Sequence, residues 1–105
     1  MSSTEGGYEL GFPTRSAEKA FDRFLGRLDA DAYRHIRGRM EDLRREPRPP
    51  GKSFKILRPP LEIFHRAANY RLRVGDYRIL YDVDDAAKRV ILIAIRRRSE
   101  KTYRG

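Results

Sequence analysis

The chain has 105 residues, 39% hydrophobic and 37% charged, and these proportions fit one small globular domain. It contains no cysteine, which excludes disulfides and thiolate metal sites and is typical of proteins kept in a reducing cytoplasm. No apolar run is long enough to span a bilayer, and the N-terminus lacks the pattern of a secretory signal. We therefore expect a flexible tail over residues 1–7, a single domain over residues 8–105 and a cytoplasmic location.

The formal charge of +9 is concentrated in the second half of the chain. Residues 1–51 hold 10 Lys+Arg against 9 Asp+Glu, whereas residues 52–105 hold 14 against 6. Such asymmetry indicates an anionic partner, such as nucleic acid, a membrane surface or an acidic protein. The alternative is that the arginines only reflect the composition of a GC-rich genome.

The N-terminal third predicts a short strand followed by a helix. Apolar residues alternate with polar or small ones over residues 8–12, which is typical of a strand. From Ser16 to Leu28 apolar residues recur every three or four positions, and this spacing predicts a helix with Thr14 or Ser16 as its N-cap.

A second helix begins after Asp29 or Asp31, either of which is a suitable N-cap. It must end near Glu46, because three prolines follow within four residues. The short joint between the two helices predicts an antiparallel helical hairpin. The segment 48–60 is proline-rich and predicts a connecting loop, with a short extended piece over residues 54–57.

The remainder of the chain predicts β-structure. Gly75 and Asp76 form a tight turn, since glycine adopts positive φ at little cost. We expect extended segments at Ile63–Arg66 and Tyr70–Val74, which could be one strand interrupted at residues 67–69, and at Tyr77–Val83 and Val90–Ile95. The predicted fold class is α+β, in the order β-α-α-β-β-β. An N-terminal strand and a helical hairpin precede a three- to four-stranded antiparallel meander, with the helices on one face of the sheet.

Strand alternation brings three arginines together. Arg71 and Arg73 alternate with the apolar residues of their strand, and Arg78 lies opposite the apolar side of the next strand. If both apolar sets face the helices, these three arginines converge on the uncovered face. Guanidinium forks match phosphate oxygens, so the cluster predicts a phosphate site. A solvated face on which arginine stems cover apolar surface is the alternative.

A second basic cluster follows the last strand. An aromatic residue among cations suggests stacking on a nucleic-acid base, although a solvated tail is the alternative. The cluster comprises Arg96, Arg97, Arg98, Lys101, Tyr103 and Arg104.

The sequence offers no support for metal or cofactor chemistry. Neither His35 nor His65 has an acid or a cysteine at ligand spacing. There is no EF-hand loop, glycine-rich phosphate loop or nucleophile elbow. We therefore expect no metal and no cofactor.

The segment Tyr70-Arg-Leu-Arg-Val-Gly-Asp-Tyr-Arg-Ile-Leu-Tyr-Asp-Val-Asp84, with the apolar strand and Arg-Arg-Ser-Glu-Lys-Thr-Tyr103 that follow, resembles the RelE/ParE toxin superfamily. The resemblance extends over nearly the whole chain. It implies a toxin of a type II toxin–antitoxin system, blocked by a cognate antitoxin that lays an acidic or amphipathic segment over the basic face. RelE-like members cleave mRNA in the ribosomal decoding site, whereas ParE-like members inhibit DNA gyrase.

The resemblance also implies roles for individual residues. Arg71 and Arg73 match two basic strand positions, Arg78 matches the hairpin arginine, Arg97 or Arg98 a later arginine, and Tyr103 a terminal aromatic that favours the RelE-like branch. Nucleic-acid contacts are expected from Arg96, Arg98, Lys101 and Arg104. RelE-like chains carry lysines on the strand where this chain has arginines, and a guanidinium does not act as a base in proteins. The general base is therefore unassigned, with Glu100 and Lys101 as candidates.

The resemblance, with Tyr103 favouring the RelE-like branch, implies a ribosome-dependent, metal-independent mRNA endoribonuclease that leaves 2′,3′-cyclic phosphate and 5′-hydroxyl ends. Its partners would be the antitoxin, the ribosome and mRNA, with no membrane partner. Two alternatives stay open: a ParE-like gyrase inhibitor without nuclease activity, and a non-catalytic RNA-binding domain.

Overall fold

Two helices pack against one face of a five-stranded sheet. The computed structural model describes residues 7–63 and 65–97. The elements in chain order are β1 (Glu9–Gly11), α1 (Arg15–Gly26), α2 (Ala30–Arg45), β2 (Phe54–Ile63), β3 (Arg66–Val74), β4 (Tyr77–Asp84) and β5 (Arg89–Arg97). The predicted α+β class, with its helices on one sheet face, is confirmed, and the meander has four strands.

The strand order is β1-β5-β4-β3-β2. Strands β2 to β5 form the predicted antiparallel meander. β1 was not expected to join it in parallel, but it pairs with β5 from Glu9 opposite Arg89 to Gly11 opposite Ile91. The short β1 therefore covers only the first part of the β5 edge.

Each helix begins at one of the predicted caps. The Thr14 hydroxyl accepts a hydrogen bond from the Ala17 amide at 3.1 Å, and the Asp29 carboxylate accepts one from the Ala32 amide at 2.8 Å. α2 ends with Glu46 as its C-cap, as the following prolines require. Within residues 7–63 and 65–97, no helix has the length and apolar character needed to cross a membrane.

The region between α2 and the first turn of the meander differs from expectation. Ile63–Arg66 is not one extended segment, because β2 ends at Ile63 and β3 begins at Arg66. His65 has a φ of 66°, which places it in the left-handed region typical of a tight reversal. The predicted interruption at residues 67–69 is absent, since β3 runs through it. The register of β2 against β3 shifts between Ile56 and Leu61, and this irregularity accommodates two prolines inside a strand.

Two apolar clusters lie on opposite faces of the sheet. The larger one joins the helices to the strands, and Ile36 and Leu43 of α2 and Leu72, Ile79 and Tyr81 of the sheet are each fully buried in it. The smaller cluster comprises Ile63, Ala68, Leu80 and Ile93. The sheet face away from the helices is therefore partly covered by residues of β2 and β3, which the sequence did not predict.

Tyr81 and Arg48 fasten the proline-rich link to the sheet. The buried Tyr81 hydroxyl donates to the Pro47 carbonyl at 2.7 Å, and burial raises the pKa of this tyrosine. Arg48 donates to Asp85 at 2.9 Å and to the Tyr70 hydroxyl at 3.1 Å. The hydrogen bond from Arg48 is the main cause that lowers the pKa of the Asp85 carboxyl. Tyr70 and Tyr81 belong to the cluster on the helix side of the sheet, so these contacts do not occupy the opposite face.

Candidate nucleic-acid interface

Three arginines stand in line across three neighbouring strands. Arg73 on β3 pairs with Arg78 on β4, and Arg78 pairs with Arg96 on β5. Residues directly opposite on adjacent strands share a face, with Cβ atoms about 4.5–5.5 Å apart. We call these three residues the arginine row. Like charges placed opposite each other destabilise a sheet, and a bound anion would remove that cost.

The arginine row lies on the face away from the helices. Its strand neighbours Leu72, Val74 and Ile79 point into the helix-side cluster, so alternation turns the arginines the other way. We call this the open face. The predicted convergence of Arg73 and Arg78 is thus present in the structure, and Arg96 joins them.

Arg71 lies on the same face, two residues before Arg73. It pairs with Lys55 of β2 on one side and with Leu80 of β4 on the other. Only 7% of Arg71 is exposed, and its Nε is buried without a hydrogen-bond partner among the described residues. A buried polar group without a partner is costly, and a bound ligand, ion or water often supplies the missing partner.

Five ion pairs among residues 7–63 and 65–97 lie away from Arg71, Arg73 and Arg96. Four of them join neighbouring side chains along α2, and the fifth joins Arg48 to Asp85. These ion pairs offset part of the positive charge of α2, and Arg71, Arg73 and Arg96 take part in none of them.

Arg97 is placed on the other side of the sheet. It pairs with Tyr77, lies 5.4 Å from the centre of that ring and donates to its hydroxyl at 3.3 Å. Tyr77 in turn packs edge-to-face against Phe24 of α1 at 5.8 Å. The structure thus does not bring Arg97 to the arginine row, and its predicted catalytic role stays a prediction.

Several predicted site residues lie outside the described part of the chain. These are Arg98, Glu100, Lys101, Tyr103 and Arg104. Their predicted roles in stacking, phosphate binding and proton transfer stay predictions.

Lys55 was not singled out from the sequence. The extended piece over residues 54–57 was expected, but its partner strand was not. Alternation from Phe54, which packs against the helix-side cluster, would have put Lys55 on the opposite face. Its position beside Arg71 follows only from the register of β2 on β3.

A groove of about 600 Å³ runs between α1 and β5. β1 pairs with β5 only as far as Ile91, so this groove lies along the part of the β5 edge that β1 does not cover. Its lining combines apolar side chains with three arginines: Ala17, Ala20, Phe21, Phe24, Ile93, Ile95, Arg23, Arg66 and Arg96 are among the residues that form it. Such a surface suits a partner segment that is partly apolar and partly acidic.

Residues 12–102 match the family model described as the ParE toxin of the type II toxin–antitoxin system, parDE. A search of curated protein sequences found no significant match.

Three solved structures share the fold. One is a chain of the archaeal RelE–RelB complex from Pyrococcus horikoshii OT3, with 24% identity, a TM-score of 0.67, and 90% of this chain and 98% of that chain covered. A chain of the toxin–antitoxin complex RelBE2 from Mycobacterium tuberculosis has 25% identity, a TM-score of 0.61, and coverages of 90% and 94%. A mutant of the E. coli toxin RelE in the free state has 20% identity, a TM-score of 0.58, and coverages of 91% and 88%.

Proposed function

The chain belongs to the ParE toxin family, within the RelE/ParE superfamily of type II toxins, and we propose that it acts as a ribosome-dependent mRNA endoribonuclease. The observation that carries the proposal is the arginine row, a line of guanidinium groups on an open sheet face. Support for the RelE-like branch comes from the RelBE2 complex at 25% identity and from the terminal Tyr103 in the sequence.

The reaction uses the substrate's own nucleophile. The RNA 2′-hydroxyl loses its proton to a base, its oxygen bonds to the adjacent phosphorus, and the bond from phosphorus to the 5′-oxygen breaks. The leaving 5′-oxygen takes up a proton from water, which gives a 2′,3′-cyclic phosphate and a 5′-hydroxyl. Negative charge builds up on the phosphoryl oxygens during this step, and fixed cations that meet it there supply a large share of catalysis.

The arginine row is suited to that stabilising role. Arg73, Arg78 and Arg96 present planar forks that bind phosphate oxygens, and they stay charged throughout the reaction. Arg96 is included because the register of β5 turns it to the open face, while the roles expected of Arg97 and Arg98 stay predictions. The base stays unassigned, with Glu100 and Lys101 as the sequence candidates.

Reversing one charge of the row tests the proposal. We expect Arg78→Glu to lower cleavage of ribosome-bound mRNA by at least about 10²-fold, comparable with the loss of one group that stabilises a transition-state anion. The matched control is Arg37→Glu, the same change at an exposed position on α2. Growth arrest and cleaved transcripts on induction of Arg78→Glu, at the level of the control, would refute the assignment.

A gyrase inhibitor without nuclease activity is the second candidate. The observation that favours it is the family model itself, which is described by the ParE toxin. In that case induction would trap gyrase on DNA and leave transcripts whole. The proposed nuclease, in contrast, would act on ribosome-bound mRNA and would therefore be located in the cytoplasm.

We also propose a cognate antitoxin as the protein partner. Two of the similar structures are toxin–antitoxin complexes by their own descriptions. In this chain the groove between α1 and β5 is the natural seat for part of it, because apolar residues and arginines line the same surface. An antitoxin segment bound there would lie beside Arg96 and would obstruct the arginine row.

A further inference from the structure

We propose that the open face holds two successive phosphates of one RNA strand, the second of them at a seat formed by Lys55 and Arg71. The ligand class, single-stranded RNA, rests on the proposed function. The new elements are the second seat, the residue Lys55 and the path of the RNA backbone along β3.

The separation of Arg71 and Arg73 along β3 matches the spacing of two consecutive phosphates. Arg71 and Arg73 are two residues apart on β3 and point to the same face. With a rise of about 3.4 Å per residue, this separates the two seats by roughly 7 Å along the strand. Consecutive phosphates of a single strand lie at a comparable spacing, so the RNA backbone would run along β3 and would not cross it.

The burial of Arg71 supports the second seat independently of the charge pattern. Arg71 is 93% buried, and its Nε has no hydrogen-bond partner among the described residues. An arginine buried for structural reasons would be expected beside a carboxylate. Asp82, two residues beyond Leu80 on β4, is engaged otherwise, since it accepts hydrogen bonds from Asn69 and from the Val83 amide, both at 2.9 Å.

Lys55 supplies the exposed part of this seat. It lies directly opposite Arg71, and cross-strand partners share a face within about 5.5 Å. Its flexible ammonium binds phosphate as a point charge beside the less mobile guanidinium. Two cations from neighbouring strands thus meet one anion.

The register also indicates which seat takes the cleaved phosphate. The line through Lys55 and Arg71 continues with Leu80 on β4 and Ala94 on β5, which are apolar. The line through Arg73 continues with Arg78 and Arg96, which are cationic. The arginine row, with three guanidinium groups, would hold the cleaved phosphate, on whose oxygens negative charge develops. The seat with two cations would position the neighbouring phosphate.

The test uses the full chain and ribosome-bound mRNA that carries a 2′-deoxy sugar at the cleavage position, which blocks the reaction. A neutral methylphosphonate replaces the phosphate on the 5′ or the 3′ side of the cleavage position, and affinity is measured. We expect one of these two replacements to weaken binding of the wild-type chain by about tenfold, because it removes one charge-assisted contact.

The variant Lys55→Met should weaken binding to unmodified mRNA by a similar factor and should be insensitive to that same methylphosphonate. Lys55 is exposed, so this variant is expected to fold, and Lys55→Arg should restore the sensitivity. Lys19→Met, at an exposed position on α1, is the control and should keep the wild-type response. Equal sensitivity of Lys55→Met and the wild type to both replacements would overturn the second seat.

A separate measurement distinguishes this failure from a failure of the proposed function. The affinity of the free chain for single-stranded RNA should fall as the salt concentration rises. In a plot of log affinity against log salt concentration, the slope for Lys55→Met should be smaller in magnitude than that of the wild type by about 0.7. A reduced slope without any cleavage by the wild type would keep the second seat and reject the nuclease. An unchanged slope, with cleavage intact, would reject the second seat alone.

Discussion

The Tyr81 hydroxyl shows how a single buried polar atom holds the framework of the site in place. The side chain is fully buried, and its hydroxyl is satisfied by the Pro47 carbonyl, which belongs to the link between α2 and β2. The Tyr70 ring lies 5.6 Å away on the neighbouring strand. Tyr81 lies on β4, which also carries Arg78 on its other face. The hydrogen bond from Tyr81 to Pro47 therefore holds the link against the strand that carries the central residue of the arginine row.

Removal of that hydroxyl should destabilise the protein without touching the open face. We expect Tyr81→Phe to lower the free energy of unfolding by about 1–3 kcal/mol, because the Pro47 carbonyl loses its donor. Urea denaturation measures the change, and Tyr33→Phe, at an exposed tyrosine on α2, is the control. Equal stability of Tyr81→Phe and the wild type would contradict the role of the bond.

The raised pKa of Tyr81 predicts that the protein loses stability at alkaline pH. Burial raises the pKa of Tyr81 above its ordinary value of 10.0, so the folded state retains this proton when the unfolded state releases it. The stabilising contribution is complete below about pH 10 and declines as the pH rises further. Tyr81→Phe should lack this part of the decline.

At the scale of the elements, features set by neighbouring residues were predictable. The caps at Thr14 and Asp29, the end of α2 before the prolines and the turn at Gly75, where φ is +58°, all follow from local chemistry. The alternation of Arg71 and Arg73 was predictable for the same reason. The parallel pairing of β1 with β5 was not, because it depends on residues about 80 positions apart.

The irregularity in β5 decides which arginine reaches the open face. Tyr81 pairs with Leu92 and Leu80 with Ala94, so Ile93 is an extra residue on β5. Uninterrupted alternation from Val90 would have turned Arg97 to the open face, and the extra residue turns Arg96 there instead. No local pattern marks such a bulge, so the sequence alone did not show whether Arg96 or Arg97 turns to the open face.

The groove between α1 and β5 makes a prediction about the antitoxin. Ala20 lines the groove, and a large side chain there would exclude a bound segment. We expect Ala20→Trp to stay toxic but to weaken antitoxin binding at least about tenfold, equivalent to about 1.4 kcal/mol. Ala86→Trp, in the exposed turn after β4, is the control for added bulk. Full rescue of growth by the antitoxin in both variants would exclude the groove as its seat.

Across the whole molecule, the charges are divided between two sides. Ion pairs neutralise much of the surface of α2, and the open face keeps its arginines without acidic partners at Arg71, Arg73 and Arg96. The arginines of the open face form a concentrated basic surface, which would speed encounter with an anionic partner such as the ribosome.

The most direct test of the central claim is to induce the chain alone in cells and to map transcript 5′ ends beside an assay of DNA supercoiling. The account predicts new 5′-hydroxyl ends inside translated regions, normal supercoiling, and loss of the new ends in Arg78→Glu. Intact transcripts together with gyrase trapped on DNA would contradict it.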